Sequence, residues 1–389
     1  MKSSSIKYNL WDVIFLFWFL TDALLAHSIL GTLGQAVFML YSISKCIISN
    51  KLKNFSVIWI YILFVFIAYL NIYLGNSVSP NESRFLLNVL IRNGVFFYSM
   101  CLYVSQQSSV KLSRIFIYAC LFSSIGMLLY NHILTGSFVI RDSEDGLNGN
   151  MMATLNAMAI CCIVALDRWK SAKNISIIIL LLMFCVLAGT RKAFIVLGFA
   201  MCIYILLSNP HKILLNISKI IILLCIILFF LFEVPFFYEI IGNRFETLFS
   251  FVQGGDTDAS TDTRNFYIEF GLYYFLKEPW IGHGIHCFKM MPGVSTYSHN
   301  NYIELLFSLG IPGVIAFYMI HLYILKVAIK NAFTSRNNSN IIAIALIISI
   351  LMAEYAMVTY YDRAALFYYA MMLCFAKENV NVKSLKYNI

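Results

Sequence analysis

Long apolar runs separated by short polar breaks fill almost the whole chain. Twelve runs stand out, near 10–28, 31–49, 57–74, 85–104, 112–131, 150–166, 175–189, 191–208, 213–233, 303–330, 340–358 and 362–376. Most approach the roughly 20 apolar residues that a helix needs to cross a bilayer. Hydrocarbon offers no partner to a backbone N–H or C=O, so runs of this kind predict helices. The runs near 150–166 and 175–208 are short, which fits tilted or half-buried helices in a bundle. The expected fold is all-α, a polytopic membrane protein of about 12 transmembrane helices. One interval breaks the pattern. Between Glu233 and His299, Gly, Asp, Thr and single aromatics replace the Ile/Leu runs. The chain therefore divides into helices 1–9 over 1–233, a large loop over 234–300, and helices 10–12 with a tail over 301–389.

Inside the loop the spacing becomes amphipathic. Phe237, Ile240, Ile241, Phe245, Leu248 and Phe249 recur over 236–252, with Glu239, Arg244 and Glu246 between them, until Gln253-Gly254-Gly255-Asp256 breaks the pattern. A second helix is expected over 261–277, with Thr261 or Asp262 as its N-cap and Glu278-Pro279-Trp280 as its stop. Two helices lying at a membrane surface fit this spacing. No internal repeat is visible, which weighs against a transporter made of two similar halves.

Composition agrees with the pattern. Sixty per cent of the 389 residues are hydrophobic, 12% are charged, and the mean hydropathy is +0.78. A soluble domain carries about 25% charged residues, so an ordinary soluble enzyme, a disordered chain and a disulfide scaffold are excluded. The 10 cysteines lie almost wholly in apolar runs, without CxxC spacing, and read as small hydrophobes. The run from Leu10 has no small-residue cleavage site after it and reads as a retained first span. The net charge of +9 would point to nucleic acid in a soluble protein. In a membrane protein it marks topology, and no nucleic-acid partner is expected. One set of connectors holds Lys45, Lys51 and Lys53, then Lys111 and Arg114, then Arg168, Lys170 and Lys173, Lys212 and Lys219, Lys326, Lys330 and Arg336, with Lys2, Lys7 and the tail lysines. The positive-inside rule places that set, and both termini, in the cytoplasm.

The other side is richer in arginine: Arg84, Arg92, Arg141, Arg191, Arg244, Arg264 and Arg363, with Lys192, Lys277 and Lys289. Lysine suffices for orientation. Arginine is preferred where a planar fork must grip phosphate or carboxylate in two places. An anionic ligand on the outer face is one reading; structural pairing with outer acids such as Glu82, Glu246, Asp262 and Asp362 is the other.

Three groups could carry chemistry. Gly189-Thr190-Arg191-Lys192 breaks two apolar runs, and Arg191 would begin a helix whose free N–H groups make a natural phosphate seat. A snorkelling Arg in a tight turn is the plain alternative. Arg264 falls in the first turn of the second loop helix, against the helix dipole, unless Asp262 simply pairs with it. His299, in Ser298-His299-Asn300-Asn301, stands where the loop meets the membrane, and imidazole is the side chain best suited to accept a proton near neutral pH. A lone histidine is more often structural. Asn300 or Asn301 could orient the ring or bind a sugar hydroxyl; Glu304, five positions on, joins them as a substrate contact although it lies off the face of His299. His283 and His286 have a spacing that could ligate metal, but only two ligands are evident, so no metal and no cofactor is expected. No Walker, GxSxG or HExxH motif is present. An enzyme on this face would need a substrate that carries its own activation, and a lipid-linked pyrophosphate sugar meets that condition.

The C-terminal half resembles the bacterial O-antigen polymerase/O-antigen ligase family of membrane glycosyltransferases. The resemblance rests on Gly189-Thr190-Arg191-Lys192-Ala193, the large loop with Arg264, Phe275–Gly284 (FLKEPWIGHG) and Ser298–Gly313 (SHNNYIELLFSLGIPG). It spans roughly 150–330; the first 150 residues match only in hydropathy. It implies a metal-independent, inverting transfer on the periplasmic face of the inner membrane, from a glycan on undecaprenyl pyrophosphate. It further implies that Arg191 and Arg264 bind the pyrophosphate and that His299 is the general base. Arg84, Arg244 and Arg363 are weaker candidates for the same anionic site. Lys192 departs from the small residue usual in the family and adds charge at that seat. Implied partners are the lipid-linked oligosaccharide, membrane lipids and a chain-length regulator. A repeat-unit polymerase is the first reading, on the chain's compact length and Ile/Lys/Asn-rich composition. A ligase acting on lipid A–core shares the same three positions. A lipid-linked oligosaccharide flippase is the third, although transport needs no base. If His299 is the base, the rate should fall as pH drops through the ordinary histidine range.

Overall fold

The structure is a computed structural model that describes residues 7–25, 28–74, 77–140, 148–167, 170–208, 210–234, 238–242, 246, 259–294, 296–335 and 337–378. All twelve apolar runs are helical: α1 (Leu10–Leu25), α2 (Ile29–Ile48), α3 (Ser56–Leu74), α4 (Pro80–Val104), α5 (Ser109–Thr135), α6 (Gly149–Leu166), α7 (Ala172–Leu187), α8 (Arg191–Ser208), α9 (Ile213–Glu233), then, after the loop helix α10 (Ala259–Lys277), α11 (Asn301–Ser335), α12 (Asn338–Ala353) and α13 (Arg363–Lys377). Among the described residues, eight helices are long and apolar enough to cross a membrane: α2 to α6, α8, α11 and α12. Twelve full spans were expected; of the other four helices α1 and α7, at 16 residues, and α13, at 15, are shorter, and α9 has 21. The chain is a polytopic integral membrane protein.

Local chemistry sets many of the helix boundaries. Ser28, Ser108, Asn148, Ser171 and Asp362 each accept a hydrogen bond from a first-turn N–H of the helix they precede, satisfying donors that hydrocarbon could not. Gly136 closes α5 in the left-handed conformation at φ +72°.

Lipid tails are as apolar as leucine, so helices here associate through close packing rather than through expulsion of water. Residues 364–373 of α13 are all buried, which makes it the central helix. Around it lie Trp18, Phe19, Phe38, Phe96 and Phe116 of α1, α2, α4 and α5, with the Phe15 ring 5.2 Å from that of Phe367. On the other side, small residues of α6 (Ala153, Ala157, Ala159) let neighbouring helices approach closely.

The loop is partly as expected. The helix over 261–277 forms, and among the described residues it already includes Ala259 and Ser260. Thr261 and Asp262 thus sit inside the helix rather than capping it, and Arg264 lies in its second turn, where its conflict with the dipole is weaker. Of the amphipathic helix expected over 236–252, only a π-helical turn at Tyr238–Gly242 and Glu246 are described; Arg244 lies outside the described residues. Tyr267 of α10 packs with Cys287, Phe288, Ile303 and Phe307 in a small core separate from that of the bundle. Gly271 is where α10 meets α11: a Cβ there would stand 2.2 Å from a methyl of Ile303.

Candidate active site

Two motif segments hold each other in place. α11 is broken at Gly310, with φ +63° and ψ −163°. The break frees the carbonyls of Phe307 and Ser308, which accept from His283 N (2.8 Å) and Gly284 N (3.1 Å), while Ile311 N donates back to Pro279 O at 2.9 Å. Asn71 of α3 closes the joint, donating to Ile281 O and Ser308 O. No side chain fits here. A Cβ on Gly310 would lie 2.4 Å from Pro279 O, and one on Gly282 2.6 Å from Ser308 O. The Pro-Trp-Ile-Gly-His-Gly and Gly-Ile-Pro-Gly sequences are thus a structural clamp that fixes the start of α11.

That start carries the histidine. Asn300 caps α11, its Oδ1 accepting from Tyr302 N (3.0 Å) and Ile303 N (3.2 Å). Glu304 reaches back to accept from Ser298 N at 2.7 Å, and the Ser298 hydroxyl donates to Asn300 O. Asn301 is buried: its Nδ2 donates to Tyr318 and Glu354, and its Oδ1 accepts from Thr359 N and Tyr360 N. With both neighbours engaged, His299 is left in the left-handed region at φ +57°. A non-glycine residue there costs about 1–3 kcal/mol and persists only where its surroundings impose it.

The electrostatics of His299 identify its company. Burial, then the charges of Arg264 and Lys192, push its pKa down to about 4. The Tyr297 ring lies against it, with centroids 4.3 Å apart, and burial raises the Tyr297 phenol while Arg264 opposes that shift. The fold therefore gathers Lys192, Arg264, Tyr297 and His299, from three distant parts of the chain. Arg191 is the first residue of α8, as expected, next to Lys192 and after Gly189, which turns the chain at φ +60°. Asn300 and Glu304 stand beside His299 with the carboxylate committed to the cap.

Two other candidate arginines stand apart. Arg84 is exposed on α4. Arg363 faces the bundle, with one guanidinium nitrogen 3.0 Å from Asp22 Oδ1 and another 3.1 Å from Gln35 Oε1; it is paired with a carboxylate, though one outside the set of outer acids weighed from the sequence. His283 and His286 do not converge. His283 Nε2 lies 2.8 Å from Tyr274 O, whereas His286 Nδ1 lies 2.9 Å from Glu82 Oε2, with Lys289 also on that carboxylate. Neither Glu82 nor Tyr297 could be found from motif spacing, because Glu82 is 204 positions from its partner and Tyr297 offers only a ring.

The model of the family described as O-antigen ligase matches residues 176–318. That stretch of the chain belongs to the O-antigen ligase family. No match was found among curated proteins. The O-antigen ligase region runs from α7 into the first half of α11. It contains Arg191, Lys192, Arg264, the clamp and His299, and it ends before Glu354 and Arg363. The family supports a glycosyltransferase-like enzyme acting on lipid-linked oligosaccharide, as polymerase or ligase, and gives the flippase reading no support.

Proposed function

We propose that the protein is an O-antigen polymerase of the bacterial inner membrane, with both termini in the cytoplasm and its site on the periplasmic side. It moves a glycan from undecaprenyl pyrophosphate to the acceptor sugar of another lipid-linked repeat unit. The observation that carries the reading is His299. Its backbone is held in a strained conformation, its ring makes no hydrogen bond among the described residues, and two cations act on it.

In this reading Arg191, Arg264 and Lys192 bind the pyrophosphate and offset the charge that develops as it leaves. His299, neutral at pH 7, accepts the proton of the acceptor hydroxyl. The hydroxyl oxygen attacks the anomeric carbon from the face opposite the leaving undecaprenyl pyrophosphate, so the configuration inverts. Neither metal nor nucleotide takes part, because the donor bond already carries the activation. A chain-length regulator is an expected partner.

Purified protein given lipid-linked repeat units should lengthen them in the presence of a chelator and without nucleotide; failure to do so sinks the enzyme reading. Deletion in the producing cells then separates the two family activities on a lipopolysaccharide gel. Loss of long chains with a single unit kept on the core means polymerase. Loss of every unit from the core means ligase.

A further inference from the structure

A cavity of about 370 Å³ opens at the same end of the bundle as His299, walled by α1, α4, α5, α6 and the residues at the start of α13. Its size falls within the range of small-molecule sites, about 300–1,000 Å³. Its chemistry differs from that around His299. Lys192 and Arg264 make a cationic pair, whereas here Asp22 and Asp362 face Arg92 and Arg363. Balanced charge does not select an anion. It supplies forked donors and acceptors for a ligand that carries both kinds of group, and a sugar bearing adjacent hydroxyls is such a ligand.

Unused bonding capacity points the same way. Asn93 is fully buried in the wall; its Nδ2 donates to Tyr361 O at 2.8 Å, and its Oδ1 has no partner. Trp18, 1% exposed, also lines the cavity and leaves its indole N–H unbonded. A buried polar atom left this way costs about 1–3 kcal/mol, and a hydroxyl can satisfy either one. The half-buried Tyr361 ring adds flat apolar surface on which the C–H face of a pyranose rests.

The cavity is linked to the histidine through Tyr297. Tyr361 and Asp362 line it, the charge of Asp362 acts on Tyr297, and the Tyr297 ring lies 4.3 Å from that of His299. We propose that this cavity is a carbohydrate subsite that receives the acceptor sugar and presents its hydroxyl toward His299, with Arg363 holding Asp22 in the wall. The proposal rests on the glycosyl-transfer reading above and adds where the acceptor binds.

The test uses the full chain in a detergent without a sugar headgroup. The probe is the repeat-unit oligosaccharide released by mild acid from the producing cells' lipid-linked intermediate. Its addition should change tryptophan emission, and Trp18→Phe should remove that change. Asn93→Leu should raise the concentration needed at least tenfold and raise the acceptor KM alike, while binding of undecaprenyl pyrophosphate stays as in the wild type. Should Asn93→Leu fail to fold, Arg92→Leu makes the same test at a residue that forms no ion pair among the described residues. An emission change that survives Trp18→Phe, or unaltered affinity in the leucine variants, overturns the subsite. Binding that depends on Trp18 without chain extension leaves the subsite standing and removes the polymerase reading. Chain extension with an unchanged acceptor KM does the reverse.

Discussion

His321 and His299 are the same side chain in opposite circumstances. His321 lies within α11, fully buried, with its Nε2 3.2 Å from Glu354 Oε1. The same carboxylate accepts from Thr359 (2.7 Å), Tyr369 (2.8 Å) and Asn301 (3.3 Å), tying α11, α12, α13 and the segment before α13 at one point. Among the described residues, no carboxylate acts on His299. The nearest in sequence, Glu304, is turned away to Ser298 N, and the charges acting on the ring are cationic. Where the protein meets a titratable group's needs, that group holds helices together; where it leaves them unmet, as at His299, the proposed substrate would meet them. Sequence position could not separate the two histidines, and their neighbours do.

The largest effect is expected on the satisfied side. Glu354→Ala leaves His321, Thr359, Tyr369 and Asn301 without their shared acceptor. Breaking a buried ionic network costs about 3–5 kcal/mol, a large part of the roughly 5–15 kcal/mol that holds a domain folded. Thermal unfolding in detergent should drop markedly and the yield fall with it. A wild-type melting curve would show that the network is dispensable, and the contrast with His299 would go with it.

On the unsatisfied side the effect moves from stability to rate. His299→Ala should lower chain extension by about 10²–10⁴-fold, the usual contribution of a positioned base, with unfolding close to wild type. Arg191→Ala and Arg264→Ala should do the same, and lysine at either position should restore little, because a point charge does not replace a two-pronged grip on pyrophosphate. Near-normal polymer from any of these variants, read on a gel, removes that residue from the mechanism.

Much of this was legible in the sequence and some was not, for physical reasons. Hydropathy places all twelve apolar runs, because hydrocarbon forces each run into a helix. Eight of these reach the length and apolarity of a span among the described residues; α13 is apolar through being enclosed by protein rather than by lipid. Arg191 at a helix start and His299 at the loop boundary follow from local breaks. The gathering of Lys192, Arg264 and Tyr297 around His299 does not, because it depends on the clamp between 279–284 and 307–311, which the motif letters carry without showing that they pair. Arg363 looked like its fellow arginines until Asp22 and Gln35, far off in sequence, were found on it. The Glu354 network is hidden for the same reason, since its members are scattered over α11, α12, α13 and the segment between the last two.

A smaller effect concerns pH. Burial, Arg264 and Lys192 set the His299 pKa at about 4, below the roughly 6.5 of an unfolded chain. The acid limb of kcat/KM, which reports the free enzyme, should therefore lie near pH 4 and not in the ordinary histidine range that the sequence alone suggests. A depressed pKa also means that the unfolded chain takes up the proton first. The contribution to stability is complete above about pH 6.5 and is lost as pH falls through about 4. Lys192→Met removes one repelling charge, so the limb should move up toward neutrality. Bound pyrophosphate acts in the same direction and should set the limb of kcat above that of kcat/KM. A limb unmoved by Lys192→Met means that another group is the base.

The smallest effect is the sharpest on the comparison itself. At φ +57° His299 pays the steric cost of a Cβ in the left-handed region, and glycine does not. His299→Gly gives up the contact with Tyr297 and gains about 0.5–1 kcal/mol less from the greater freedom of its unfolded chain, against about 1–3 kcal/mol of strain relieved. Its unfolding temperature should therefore equal or slightly exceed that of the wild type while chain extension is lost. His321→Ala, by contrast, should melt lower, because it takes the imidazole from a fully buried Glu354. If His299→Gly instead melts as low as His321→Ala, the ring is a structural member like its neighbour, and the strained backbone has to be explained without a reaction.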